Sequence, residues 1–457
     1  MPSVHPERIA AWPGTGTGEA SSSAAVTAGC ARGIRPRSQD GTARLWDVRM
    51  NRPEALTWPV GGRVGAAQLD RAGRRLLVAA GSAARVFDSQ TGEALTPPLR
   101  HSYKVHQATF SPDGRLVATA SVDQNVKLWD AAGGEPVGQP MVHSAEVWDV
   151  SFSPDGCQLA TASRDQYLRV FDVETQGLLR KQHQPSEILR ARFSADGNRI
   201  LTACVDGGLR LHSSSSLELV LPPMRHKGIV WTAEFSPDGT RLLSTSADRT
   251  AQLWNAQTGQ PIGNPMRHPK GVQMGMFSAD GRRVATGSED GTARVWDAMT
   301  GEPVSPPLRR PNPTALNAIR FSPDGRWLLT MDLRGAYLWD AQTGLSISEA
   351  MMPLGEVNRA CFHPDGTWFW TFSGAGMAQA WKVVDPPSPV ARWLPDLAEG
   401  LAGRRLDARG ELLSAPPEGL LELRERLLAA ESNDFYLRWG RWFFRERLEG
   451  GSGKPKE

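Results

Sequence analysis

The stretch Phe110–Asp130, FSPDGRLVATASVDQNVKLWD, contains two phrases that recur along the chain. The first, of the form F-S-P-D-G, begins at Phe110, Phe152, Phe193, Phe235, Phe277, Phe321 and Phe362, with a weaker LDRAG at Leu69. From Leu69 onward, successive starts lie 41, 42, 41, 42, 42, 44 and 41 residues apart. The second phrase ends in a large residue and usually Asp, at Phe87, Trp129, Phe171, Trp254, Trp296, Trp339 and Trp381. One unit has His212 in the Trp place, and a further WD sits upstream at Trp46. Self-similarity at a fixed period of this length signals stacked supersecondary units.

Within each unit, segments such as VWDVSF, QLATAS and LRVFDV are rich in β-branched and apolar residues, and turn-formers (PDG, TGE, RDQ) separate them. This pattern predicts four short antiparallel strands per unit. In S-P-D-G the Pro pre-sets one turn dihedral and the Gly supplies a positive one, so a tight hairpin follows. One such unit cannot bury its own faces and needs neighbours.

On these two phrases and their period, roughly residues 40–395 resemble the WD-repeat family. The resemblance implies an all-β fold, a β-propeller. Eight units fall within residues 64–383, so eight blades are expected; seven plus a detached partial unit is the alternative, because the WD at Trp46 is half a blade too many. Family members usually close the ring with an N-terminal outer strand. Residues 54–60 (EALTWPV) could supply it, and 389–394 (PVARWL) compete for the same place. Residues 1–39 read as an irregular or degenerate first repeat, in which ARGIRPRS fits neither strand nor known turn. The chain could also be a piece of a longer tandem-propeller protein. Weak units flank the expected seam: Gly81 and Gly374–Ala375 replace the turn Asp, and Arg310 stands where a His is expected.

Charge and cysteine usage restrict the function classes. Fifty-two Lys+Arg against 49 Asp+Glu leave a net charge of +3, with the basic residues scattered, so no nucleic-acid partner is expected. Cys30, Cys157, Cys204 and Cys361 lie too far apart for a zinc or redox motif, and neither metal nor cofactor is expected. No apolar run is long enough to span a membrane as a helix, and a cytoplasmic location is the expectation.

His, Ser and Asp recur at fixed spacing. His101, His143, His226 and His268 each precede an Asp by 22 residues, and a Ser stands two residues before that Asp. A catalytic triad does not come in four copies around a ring. The repetition is similar to the family's structural His–Ser–Asp–Trp tetrad, which implies the sets His101/Ser121/Asp123/Trp129, His226/Ser246/Asp248/Trp254 and His268/Ser288/Asp290/Trp296. In that resemblance the turn Asp holds the His, and the Trp indole donates to the Ser.

Propellers commonly bind proteins or peptides over the face carrying the tetrad turns. The start of each inner strand and the residue before each turn Asp then define a rim. Its candidate partner-binding residues are His106, Trp148, Arg164, Trp231, Glu289 and Asn358. Trp148, Arg164 and Trp231 form the expected anchor, because exposed Trp beside Arg is the composition of a binding hot spot.

After Pro395 three segments, DLAEGLAGRRL, EGLLELRERLLAA and DFYLRWGRWFFRERL, carry apolar residues at helical spacing. They predict an α-helical extension over 396–449, able to pack on the ring or dock a partner, followed by a disordered tail at 450–457. The tail and the TGEPV…PPLRH repeats look like bacterial WD-repeat arrays that often follow a serine/threonine kinase domain, although no HRD-type loop or DFG is present here. The expected role is a protein–protein interaction scaffold without catalysis of its own. The alternatives are a regulatory fragment of a kinase–propeller protein and a propeller enzyme with chemistry in its channel, which would need a cluster of ligating or titrating residues that does not repeat.

Overall fold

The computed structural model describes residues 57–310, 314–344, 346 and 357–383, together with short strands at 33–35, 44–46, 404–406 and 412–414 and a helix at 417–429. Eight antiparallel sheets stand around a central axis. Their inner strands are Val64–Leu69, Val105–Phe110, Val147–Phe152, Ile188–Phe193, Val230–Phe235, Val272–Phe277, Leu316–Phe321 and Val357–Phe362, taken here as blades one to eight. Each inner strand pairs with a second and then a third strand in sequence order. In blades six and seven the outer edge is reduced to isolated bridges, such as Ala293 to Leu308 and Trp339 to Ser346.

The ring closes through the N-terminal candidate. Thr57–Pro59 adds to the third strand of blade eight, with Thr57 opposite Gln379 and Pro59 opposite Met377. Trp58 is buried there with Trp370, Phe372, Val64 and Leu76, so one apolar cluster spans blades eight and one. The competing stretch 389–394 lies outside the described residues. Gly33–Arg35, read above as neither strand nor turn, pairs with Arg44–Trp46 in a separate two-stranded sheet.

The S-P-D-G turns behave as their chemistry dictates. In blade two, Ser111 donates to Asp113, Asp113 accepts from the Arg115 amide, and Gly114 takes φ +72°. A recurrent arginine then ties neighbouring turns. Arg75, Arg199, Arg241 and Arg283 each donate to the turn-glycine carbonyl of a neighbouring blade, at 2.7–3.2 Å. Each guanidinium also lies 5.2–5.9 Å from the ring centre of a neighbouring inner-strand Phe.

The C-terminal region is less helical than the apolar spacing predicts. Pro417–Ala429 is a helix that buries Leu423 and Leu427. The first of the three segments contributes a strand instead, Arg404–Leu406 paired with Leu412–Ser414. The sequence accounts for this: Gly400 and Gly403 weaken a helix, and the D-A-R-G composition at 407–410 is of a kind that favours a hairpin. The third segment lies outside the described residues, and no described helix is long and apolar enough to cross a membrane.

Candidate functional site at the rim and channel

The inner strands decide which side chains a ligand can meet. In all eight, the pairing register shifts between the first and third residues, for example between Val105 and Gln107 or Ile188 and Arg190. The second residue is therefore a bulge, and a bulge re-aims the chain. Residues one, four and six of blade two (Val105, Ala108, Phe110) face the core, whereas His106, Gln107 and Thr109 are partly exposed. Val105 pairs with Ser121 beside the turn Asp, so the bulge residues lie on the face of the tetrad turns.

His106 and Trp148 are bulge residues of adjacent blades, and their rings stack at 4.2 Å between centres. Burial, with Lys104 and Arg190 nearby, lowers the His106 pKa to about 4. Glu146 lies 3.9 Å from His106 and 3.6 Å from Arg164, whose Nε donates to Glu187 at 3.1 Å. A charged chain, Glu146–Arg164–Glu187, thus runs beside the indole, with the neutral His106 at its end. Trp148 and Trp231 are both half-buried, and both indole N–H groups lack an acceptor. Leu189 of blade four separates the two, so they occupy successive parts of one arc without touching in any described contact. Glu289 accepts from Gln273 at 2.9 Å on blade six. Asn358 does not reach the surface: it is only 4% exposed, although it occupies the same bulge position as His106.

The tetrads form with a different hydroxyl from the one spacing suggested. In blade two, Trp129 Nε1 donates to Thr119 Oγ1 at 2.8 Å, and His101 Nε2 meets the same oxygen at 2.7 Å. His101 Nδ1 donates to Asp123 at 2.8 Å. Because an ionised carboxylate only accepts, Nε2 is left to accept the threonine O–H. Burial outweighs Asp123 and holds the His101 pKa below its ordinary value. Blade five repeats this with Trp254, Ser244, His226 and Asp248. Ser121 and Ser246 instead accept from the amides of Asp123 and Asp248 and donate to loop carbonyls.

Geometry explains the correction. Trp129 lies opposite Val117, two residues from Thr119 and four from Ser121. At about 3.3 Å per residue the indole spans two positions along a strand but not four. In blade six Thr286 likewise replaces Ser288 as the shared hydroxyl for His268 and Trp296, and Ser288 accepts from the Asp290 amide. Asp290 does not reach His268; it accepts from Thr292, which lies 3.3 Å from His268 Nδ1. In blade three Asp165 pairs with Arg169 at 2.8 Å, and His143 turns to the Met141 carbonyl.

Sequence reasoning considered a channel but missed its charged lining. A cavity of about 1010 Å³ runs between the inner strands, lined among others by Arg190, Arg192, Arg320, Arg359 and Glu234. Asp149 beside it pairs with Arg192 at 2.6 Å and accepts from the Ala191 amide. Glu234 accepts from the Phe277 amide at 2.5 Å, and burial pushes its pKa up to about 7. These carboxylates satisfy inner-strand amides that no ladder partner reaches. The available signal was a charged residue at strand positions three and five, where other blades carry Ala, Gln, Thr, Ser, Met or Cys.

Eight radially arranged sheets with repeated Trp–hydroxyl–His contacts define the β-propeller class, and the comparisons agree. Residues 66–267 match the family described as IFT122 first beta-propeller, and residues 259–297 match WD domain, G-beta repeat. Residues 66–297 thus match WD-repeat families, and the fold is an eight-bladed β-propeller. It is 40% identical over 55 residues to an uncharacterized WD repeat-containing protein of Deinococcus radiodurans, covering 12% of this chain. The chain spans 21% of the length of that curated relative. The fold is also similar to the computationally designed Ika8 protein, with TM-score 0.63 and 21% identity, covering 71% of this chain and 98% of that one.

Proposed function

We propose that this propeller is a protein-interaction scaffold that binds a protein or peptide over the face carrying the tetrad turns. The observation that carries the reading is the His106–Trp148 stack at the channel mouth, flanked by the Glu146–Arg164–Glu187 chain. WD-repeat propellers generally mediate such contacts. A half-buried indole held by a stacked ring offers rigid apolar area, the kind of anchor that concentrates binding energy. The rigid ring holds these groups in place, so their ordering costs little on binding. The recurring histidines serve structure, and no catalytic role is assigned to them.

Affinity capture from the source cell, comparing wild type with a folded Trp148→Ala/Trp231→Ala variant, tests this reading. A protein enriched by the wild type and lost in the variant supports it. Equal capture by both, or none by either, overturns it.

A further inference from the structure

The channel has an unbalanced charge. Arg190 and Arg359 stand at the third strand position of blades four and eight, on opposite sides of the ring; Arg320 stands at the fifth position of blade seven. All three line the same cavity, and burial together with Arg320 and Arg190 lowers the Arg359 pKa to about 10. Among the described residues, only Arg192 of the four channel arginines has a carboxylate within 4.0 Å. Glu234, the carboxylate lining the same cavity, has its pKa raised by burial to about 7, so it offsets the arginines only in part.

The donors of these arginines are also incompletely used. Arg190 Nη1 donates to the Leu189 carbonyl, Arg320 Nη1 to Ile319 and Arg359 Nη1 to Asn358, at 2.8–2.9 Å. Arg359 Nε reaches the Gly65 carbonyl at 2.9 Å, bridging blades eight and one. These bonds fix each guanidinium against its own strand and leave Nη2 of all three without an acceptor among the described residues. Three oriented forks of like charge, partly exposed to one cavity, suit an oxyanion, which accepts from planar guanidinium pairs.

We propose that the channel binds a compact, multiply charged oxyanion held by Arg190, Arg320 and Arg359. The cavity of about 1010 Å³ is of the size that small-molecule sites have, roughly 300–1,000 Å³. The arginines lie at strand positions three and five, below the His106–Trp148 stack at position two, so the occupant sits beneath the rim and is small. This site is separate from the protein-binding rim, and either can exist without the other.

Calorimetric titration and thermal melting with sodium pyrophosphate and with sodium citrate test the proposal, against sodium chloride at matched ionic strength. Saturable binding and a raised Tm are expected with at least one of the two, weakened about tenfold or more in Arg190→Gln/Arg359→Gln. Response to pyrophosphate alone assigns a phosphoryl ligand; response to citrate alone assigns a polycarboxylate. Should the double variant fail to fold, Arg320→Gln provides the same comparison. A Tm that follows ionic strength only, or equal affinity in a folded variant, overturns the proposal.

Discussion

Arg310 pairs with Asp332 across the same 22-residue interval that separates His101 from Asp123. Blade seven has thus kept the position of the pair while changing its chemistry. The guanidinium also lies 4.2 Å from the centre of the Tyr337 ring, and Asp332 is fully buried. Arg310→Gln strands that carboxylate, and breaking a buried pair in this way costs about 3–5 kcal/mol. Arg310→His is expected to recover part of the loss, since a His in this place serves blades two and five. Urea denaturation of both variants checks the order; equal stability of the two would refute an ion-pair role.

The identity of the tetrad hydroxyl gives a second expectation. Thr119→Val removes the acceptor of Trp129 and the partner of His101 with little change of shape. Each buried group left unpaired costs about 1–3 kcal/mol. Ser121→Ala removes only a turn contact from the Asp123 amide and donations to loop carbonyls. Thermal melting should place Thr119→Val well below Ser121→Ala, and the reverse order would restore Ser121 to the tetrad.

Ring closure depends on a three-residue strand. Trp58→Ala empties a place packed against Trp370 and Phe372, and truncations of this size cost about 3–5 kcal/mol. Amide hydrogen exchange should speed first in Met377–Lys382, the strand that Thr57–Pro59 pairs with. Unchanged protection there would show that the seam holds without the N-terminal strand.

Acid should weaken the fold before carboxylates titrate. Burial lowers His106, His143, His212 and His268 to about 4, below the ordinary value of 6.5. Between those values the unfolded chain binds more protons than the folded one, so stability falls as pH drops from about 7 toward 4. Glu234 acts in the opposite sense: its folded value of about 7 exceeds the ordinary 4.5, so it favours folding less as pH rises through that window. Glu234→Gln is therefore expected to raise Tm at pH 8 and change it little at pH 5. A uniform shift at both values would count against a buried, titrating Glu234.

Much of the propeller was legible because its instructions are local. Period, strand number and turn geometry lie within single units, where β-branched runs and S-P-D-G act on their own backbone. The inner-strand bulge was also written there: apolar residues fall at positions one, four and six (Val105, Ala108, Phe110), a break in two-residue alternation that simple strand reading passes over. The helical spacing after Pro395 misled for its first segment, where glycines and a turn outweigh apolar periodicity.

The sequence by itself determined the repeat, favoured eight blades within 64–383 and placed four His–Asp pairs 22 residues apart, because each is encoded at a fixed interval. The structure closes the pair at His101 and His226 and gives His143 and His268 other partners. Tertiary structure alone decided which hydroxyl the Trp reaches, that Thr57–Pro59 completes blade eight, and that Arg190 and Arg359 share a channel. Those outcomes rest on strand register and ring closure, which bring together residues as far as 322 apart, Thr57 and Gln379, and no local pattern records such a distance.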